Sequence, residues 1–246
     1  SEPGSGSDVI SMKLKAEDKG GYYLLNGNKM WITNGTVADV AIIWAQTDEG
    51  IRGFAVDTKT AGFQANLIKH KLSLRASLTA ELVFTNLKVS DADRLPGATS
   101  LRAPLMCLAE ARYGIIFGTV GAARDCLETA LAYAATREQF DGPIARHQMT
   151  QAKFAAMATR LNTAMLLALH IGKIKDAGKI QPQQISMGKY NNAMAALEIA
   201  REARSILGGA GITTEYSVFR HMANLETVLT YEGTHEIHSL VIGEAL

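Results

Sequence analysis

Cysteine and proline are scarce in this chain, and neither sign of charge prevails. Two cysteines, Cys107 and Cys126, are the only thiols in 246 residues, prolines number five, and the formal net charge is +1. Both cysteines fall on one predicted helix, about 30 Å apart by helical rise, which excludes a bridge between them and points to a reducing compartment. The lack of any run of like charges excludes a nucleic-acid footprint and an electrostatically held membrane surface, so a small acidic ligand would have to be met by individual arginines. No uninterrupted apolar run is long enough to span a bilayer, and the first residues resemble neither a signal nor a transit peptide. Internal repeats and low-complexity tracts are absent as well. What is present is ordinary globular material, 47% apolar and 20% charged, enough for a sizeable core.

Two halves of different character follow one another. From Val9 to about Lys88, short β-branched and aromatic runs alternate with polar punctuation, which predicts a compact antiparallel β domain. Within it, Asn26-Gly27-Asn28 between Tyr22–Leu25 and Lys29–Ile32 predicts a hairpin. After Leu95-Pro96-Gly97 the period changes to helical. One helix is predicted to about Thr136, with Gly114, Gly118 and Gly121 on one stripe suited to close packing. Two further core stripes follow: Phe154, Met157, Leu161, Ala164, Ala168 and Ile171, then Ile185, Asn192, Ala196, Ile199, Ala203 and Ile206. Segments 215–228 and 234–242 complete an α-bundle. The fold class is α+β, with a β domain over 1–98 and a four-helix-type bundle domain over 99–246.

Chemistry is best sought at Thr230-Tyr231-Glu232-Gly233-Thr234-His235-Glu236-Ile237-His238. Gly233 can break a helix and Thr234 can cap the next, so Glu232 lies on a corner from which a carboxylate can enter a cleft. Tyr231 beside it offers an aromatic wall that would desolvate the carboxylate and raise its pKa. His235, Glu236 and His238 do not have metalloprotease spacing, and no Cys/His cluster supports a metal, so none is expected. Leu207-Gly208-Gly209-Ala210-Gly211 follows a helix, not a strand. It therefore predicts a glycine C-cap and excludes a dinucleotide fingerprint.

Seven ordered blocks carry a resemblance over essentially the whole chain. They are residues 1–8 (Ser-Glu-Pro-Gly-Ser-Gly-Ser-Asp), 30–35 (Met-Trp-Ile-Thr-Asn-Gly), 52–54 (Arg-Gly-Phe), 74–77 (Leu-Arg-Ala-Ser), 111–114 (Ala-Arg-Tyr-Gly), 137–140 (Arg-Glu-Gln-Phe) and 207–212 (Leu-Gly-Gly-Ala-Gly-Ile). Together with Tyr231-Glu232-Gly233-Thr234 they resemble the acyl-CoA dehydrogenase family, and within it the glutaryl-CoA dehydrogenase branch. In that family a block like residues 1–8 opens the middle domain, after an all-helical domain, so the chain is expected to be a fragment.

The resemblance implies roles for individual residues. Glu232 would be the general base. The base occurs in some relatives just before the arginine equivalent to Arg112, where this chain has Ala111. FAD would be held by Ser5, Gly6, Ser7, Trp31, Ile32, Thr33, Arg137, Phe140, Gln148, Leu207, Gly208, Gly209, Thr234 and Glu236. Trp31 would lie against the flavin ring and Arg137 at the pyrophosphate, although Asp141 stands where relatives usually have glycine. Ser7, Leu105, Leu108, Arg112, Tyr231 and Gly233 would line the acyl-CoA site. The implied activity is FAD-dependent oxidation of glutaryl-CoA with decarboxylation to crotonyl-CoA, a step of fatty-acid and amino-acid catabolism. Electron-transfer flavoprotein would be the partner, and a homotetramer the assembly, with no nucleic acid and no membrane insertion. The location would be cytoplasmic, or the mitochondrial matrix in a eukaryote. Another short-chain acyl-CoA dehydrogenase, or a flavin-free fragment that only self-associates, remains the alternative.

Overall fold

A computed structural model describes all residues from Ser1 to Leu246. The chain forms two compact units, Ser1–Cys107 and Leu108–Leu246. Six strands build the first: β1 (Lys15–Asp18), β2 (Tyr22–Thr33), β3 (Val40–Thr47), β4 (Gly50–Asp57), β5 (Phe63–Leu67) and β6 (Thr79–Ser90). They form one sheet in the order β4-β3-β1-β2-β6-β5. Every neighbouring pair is antiparallel except β1 and β3, which meet in parallel at Lys15 and Gln46. Leu25, Phe54, Leu82 and Leu87 are fully buried in its core, and Tyr23 and Phe54 pack with ring centroids 5.0 Å apart. A buried ion pair closes one side: Lys29 Nζ reaches Glu2 Oε1 at 2.9 Å, while Glu2 also accepts from the backbone N–H of Lys13 and Leu14.

The hairpin predicted at Asn26-Gly27 is not formed. β2 runs straight through it as a single 12-residue strand, with a register shift against β6 between Leu25 and Gly27. Gly27 serves close approach instead of a turn. Its φ is 140°, and a Cβ there would lie 3.0 Å from the Leu14 Cα. Asn26, meanwhile, accepts from the Asn86 N–H at 2.8 Å, so the polar pair ties β2 to β6.

Five helices follow: α1 (Arg102–Thr136), α2 (Gln148–Asp176), α3 (Pro182–Leu207), α4 (Val218–Thr230) and α5 (His235–Gly243). Helix α3 is central, packing on α2, α4 and α5. It starts with Pro182 in its first turn and a reciprocal Gln181/Gln184 capping box, and ends at Gly208, whose φ of 58° is the predicted glycine cap. The stripe from Ile185 through Ile206 is buried, Asn192 included. That amide is satisfied by donation to Ile116 O at 3.1 Å and Ala164 O at 3.0 Å, which pins α3 to both α1 and α2.

Two further expectations need correction. Gly114, Gly118 and Gly121 are exposed, and a Cβ on any of them would meet nothing, so within the chain no helix uses that stripe for packing. Helices α1 and α2 are also both long and apolar enough to cross a bilayer. A search for unbroken apolar runs passes over them because charges bracket shorter stretches, Arg112 and Arg124 in α1, Arg160 and Lys173 in α2. The same test is met by core helices of soluble proteins.

Candidate active site

Helix α4 ends at Thr230, and Tyr231 caps it by donating its N–H to Thr227 O at 2.9 Å. The chain then makes two consecutive left-handed residues, Glu232 at φ 54° and Gly233 at φ 92°. Glycine adopts this region freely, whereas glutamate does so at a cost of roughly 1–2 kcal/mol. Thr234 restarts the helix as N-cap, its Oγ1 accepting from Ile237 N at 3.3 Å. Glu232 is thus held on a sharp corner between two helices.

Three cationic or potentially cationic side chains from three helices converge on that corner. Arg112 of α1 donates from Nε to the Glu232 carbonyl at 2.6 Å. Lys189 of α3, only 1% exposed, donates to Gly233 O at 2.8 Å and Leu229 O at 3.3 Å. His238 of α5, also 1% exposed, shares a 3.1 Å hydrogen bond between Nδ1 and Ser186 Oγ. Its Nε2 is buried without a partner, and a Cβ on Gly233 would stand 2.9 Å from it.

Burial dominates the electrostatics. It raises the Glu232 pKa, with the opposing pull of Arg112 and Lys189 too small to reverse it. It also lowers Lys189 to about 8, assisted by Arg112 and opposed by Glu232. His238 is pushed down to about 4 by burial and then by Lys189 and Arg112, so at neutral pH the imidazole is uncharged. One oxygen of the Glu232 carboxylate, Oε2, is buried with no hydrogen-bond partner. A partly desolvated carboxylate with a free oxygen is chemically a base waiting for a proton donor.

The corner unites five of the residues expected from the sequence: Glu232, Tyr231, Gly233, Thr234 and Arg112. Tyr231 is half-buried against the helical core, its hydroxyl pKa raised by burial and by Glu232. Glu236 lies in the first turn of α5, its carboxyl pKa held below the usual range by its own backbone N–H and the Thr234 hydroxyl. Leu105 and Leu108 lie on the first turns of α1. Between α1 and α2, Arg137 and Phe140 are exposed, Phe140 is 90% exposed at φ 51°, and Gln148 is the first residue of α2. Leu207 is buried, whereas Gly208 and Gly209 are exposed at the end of α3. In the β unit, Trp31 is 61% exposed at φ 64°, where the register of β2 shifts against β6. Ile32 packs partly into the sheet core and Thr33 pairs with Thr79. Gly6 and Ser7 are exposed, but Ser5 is buried and donates its hydroxyl to Asp8 O at 2.5 Å. No group of three His, Cys, Asp or Glu side chains is placed to hold a metal ion.

Lys189, Ser186 and a neutral, buried His238 are the components the sequence did not assign. A signal for the first existed: Lys189 falls in register with Ile185, Asn192 and Ala196 on a stripe that is otherwise core. A lysine on such a face must find acceptors or lose its charge.

The chain belongs to the acyl-CoA dehydrogenase family. Residues 1–87 match the family's middle domain and residues 101–246 its C-terminal domain. Among solved structures, a glutaryl-CoA dehydrogenase from Mycobacterium smegmatis is 61% identical with a TM-score of 0.98, covering 99% of this chain and 63% of that one. A second from the same organism, in complex with FADH2, is 57% identical at the same TM-score and coverage. The mitochondrial 2-methylacyl-CoA dehydrogenase of Solanum tuberosum is 38% identical over 252 residues, all of this chain and 61% of that protein. The chain therefore spans somewhat under two thirds of the length of these relatives.

Proposed function

We propose that this protein is the part of an FAD-dependent acyl-CoA dehydrogenase that carries the catalytic base, with glutaryl-CoA as substrate and crotonyl-CoA and CO2 as products. The observation that carries the reading is the buried, unpartnered Oε2 of Glu232, on a carboxylate whose pKa burial has raised. Removing the weakly acidic α-proton of a thioester needs such a base. The 57–61% identity to the solved glutaryl-CoA dehydrogenases supports the choice of acyl chain.

The residues present fit a flavin. Trp31 and Phe140 each place a large, exposed aromatic ring on a left-handed backbone position, a conformation bulky residues hold only where the surroundings impose it. Flat apolar faces of that kind suit a planar ring system. Ser5 has already donated its hydroxyl to Asp8, so Gly6 and Ser7 would supply the donors of that loop. Arg137 and Gln148 would meet the pyrophosphate, and Thr33, Ile32, Leu207, Gly208, Gly209, Thr234 and Glu236 would complete the cofactor contacts. FAD, when bound, supplies a two-electron acceptor.

The rest is done by the chain. Glu232 takes the α-proton through Oε2, and its raised pKa brings the balance of its two forms nearer the working pH. Arg112 and Lys189 fix the corner through its carbonyls, leaving the carboxylate free to face substrate. Leu105, Leu108, Ser7, Tyr231 and Gly233 would line the acyl-CoA site, and an electron-transfer flavoprotein and a homotetramer complete the proposed assembly. The 38% identity to a 2-methylacyl-CoA dehydrogenase makes branched short-chain substrates the second reading. The test is the visible spectrum of the FAD-loaded protein on adding glutaryl-CoA, isobutyryl-CoA and 2-methylbutyryl-CoA in turn. Selective bleaching by glutaryl-CoA supports the first reading and bleaching by a branched substrate the second. Failure to take up FAD removes the cofactor assignment. Glu232→Gln should retain flavin and abolish bleaching.

A further inference from the structure

Lys189 takes no proton and lines no ligand site in the chemistry just described, yet it is a fully enclosed cation in the core face of α3. Its two acceptors lie on either side of the base: Leu229 O, in the last turn of α4 where helical carbonyls lack partners, and Gly233 O, just past Glu232. The segment from Thr230 to Gly233 includes both left-handed residues of the corner. We propose that Lys189 is a positioning residue for the base, spanning the corner from end to end so that the Glu232 carboxylate is held at one aim.

Three features support this, and the inference rests on Glu232 acting as the base. A single ammonium satisfies carbonyls from two elements, so releasing it frees both ends of the corner together. The other titratable groups facing it are Arg112 from α1, Glu232 from the corner and His238 from α5, and His238 is neutral at working pH. Arg112 grips the carbonyl of Glu232 itself, between those two, so Lys189 and Arg112 share the corner without either neutralising the carboxylate by a direct ion pair. The charge of Lys189 lowers the Glu232 pKa against burial, and Glu232 in turn raises that of Lys189, so each group holds the other's proton balance.

The experiment follows deuterium uptake at the α-carbon of acetyl-CoA by the FAD-loaded protein across pH. Acetyl-CoA has no β-carbon and cannot be oxidised, so uptake reports the base alone. Lys189→Met should lower the plateau rate about 10²-fold, the scale on which small misplacements act. It should also move the acid limb to higher pH while acetyl-CoA affinity stays within about threefold, and Lys189→Arg should restore the limb. A Lys189→Met variant with an unchanged plateau and acid limb overturns the proposal. The Glu232 carboxyl carbon, followed by 13C NMR in the unmutated protein and assigned with Glu232→Gln, gives a second readout that needs no variant of Lys189 to fold. A second inflection at the pH where Lys189 itself titrates, located in a 13C-lysine-labelled sample, supports the proposal, and its absence overturns it. Absence of deuterium uptake in the unmutated protein would instead sink the assignment of Glu232 as base, with the carboxyl titration still deciding on Lys189.

Discussion

Arg112 Nε donates to the main-chain carbonyl of Glu232 at 2.6 Å, joining residues 120 apart in sequence. The guanidinium sits close enough to attract the carboxylate but is spent on the backbone, and burial remains the larger influence on Glu232. That distinction matters for a base. A bidentate arginine pair would lower its pKa by one to three units and leave it too weak to take a proton from carbon.

Arg112→Met removes this tie and one positive charge from the cluster. Arg112 lowers the proton affinity of Lys189, His238 and Glu232 alike, so all three should move up. Lys189 is the clearest reporter, because it titrates from about 8, apart from ordinary lysines. In a 13C-lysine-labelled sample its midpoint should rise in the variant; an unmoved midpoint would mean the two cations do not sense each other. Deuterium uptake into acetyl-CoA should fall about 10²-fold in parallel, since the corner loses its α1 anchor.

Gly233 tests whether the corner tolerates a side chain. Its φ is 92°, and an added Cβ would lie 2.9 Å from His238 Nε2 and 3.0 Å from Cε1. The imidazole is buried and bonded to Ser186, so it has little room to retreat. Gly233→Ala should cost about 2–4 kcal/mol, combining left-handed strain with overpacking. Gly114→Ala is the matched control: it is helical, its Cβ would meet nothing, and it should stabilise by up to about 1 kcal/mol. Urea unfolding midpoints check both. Equal midpoints for the two variants would show that the corner can relax.

How much of this was legible beforehand depends on whether the signal was a pattern or a contact. The burial stripes of α2 and α3 follow helical period, and the corner at Glu232 announces itself through Gly233 and Thr234, whose roles are local. Lys189 has partners that are backbone carbonyls 40 and 44 residues away, and a carbonyl leaves no mark in a sequence. Asn26-Gly27 misled for the opposite reason. A strong local turn signal was overridden because the glycine was needed to admit the Leu14 backbone, a contact specified by β1 and not by the turn. The left-handed φ of Trp31 is likewise a tertiary fact: nothing in Met30-Trp31-Ile32 distinguishes it from a regular strand residue.

Acid should reveal His238 as a stability element with a definite sign. Its folded pKa lies near 4, below the ordinary value of 6.5. Between those values the unfolded chain takes up a proton that the folded chain refuses. The contribution is complete above pH 6.5, is lost as pH falls through the window, and is gone below about 4. Glu232 acts in the opposite sense, because its raised folded pKa makes stability fall as pH rises above 4.5. The net slope of the unmutated protein is therefore ambiguous, and His221, also depressed by burial, adds to it. A difference experiment removes both complications. His238→Gln keeps a polar group near Ser186 but cannot titrate, so its urea midpoint should change less steeply between pH 6.5 and 4 than that of the unmutated protein. Parallel curves would mean that His238 protonates freely in the folded state, and that the imidazole beneath Gly233 is not held neutral by burial and by the neighbouring Lys189 and Arg112.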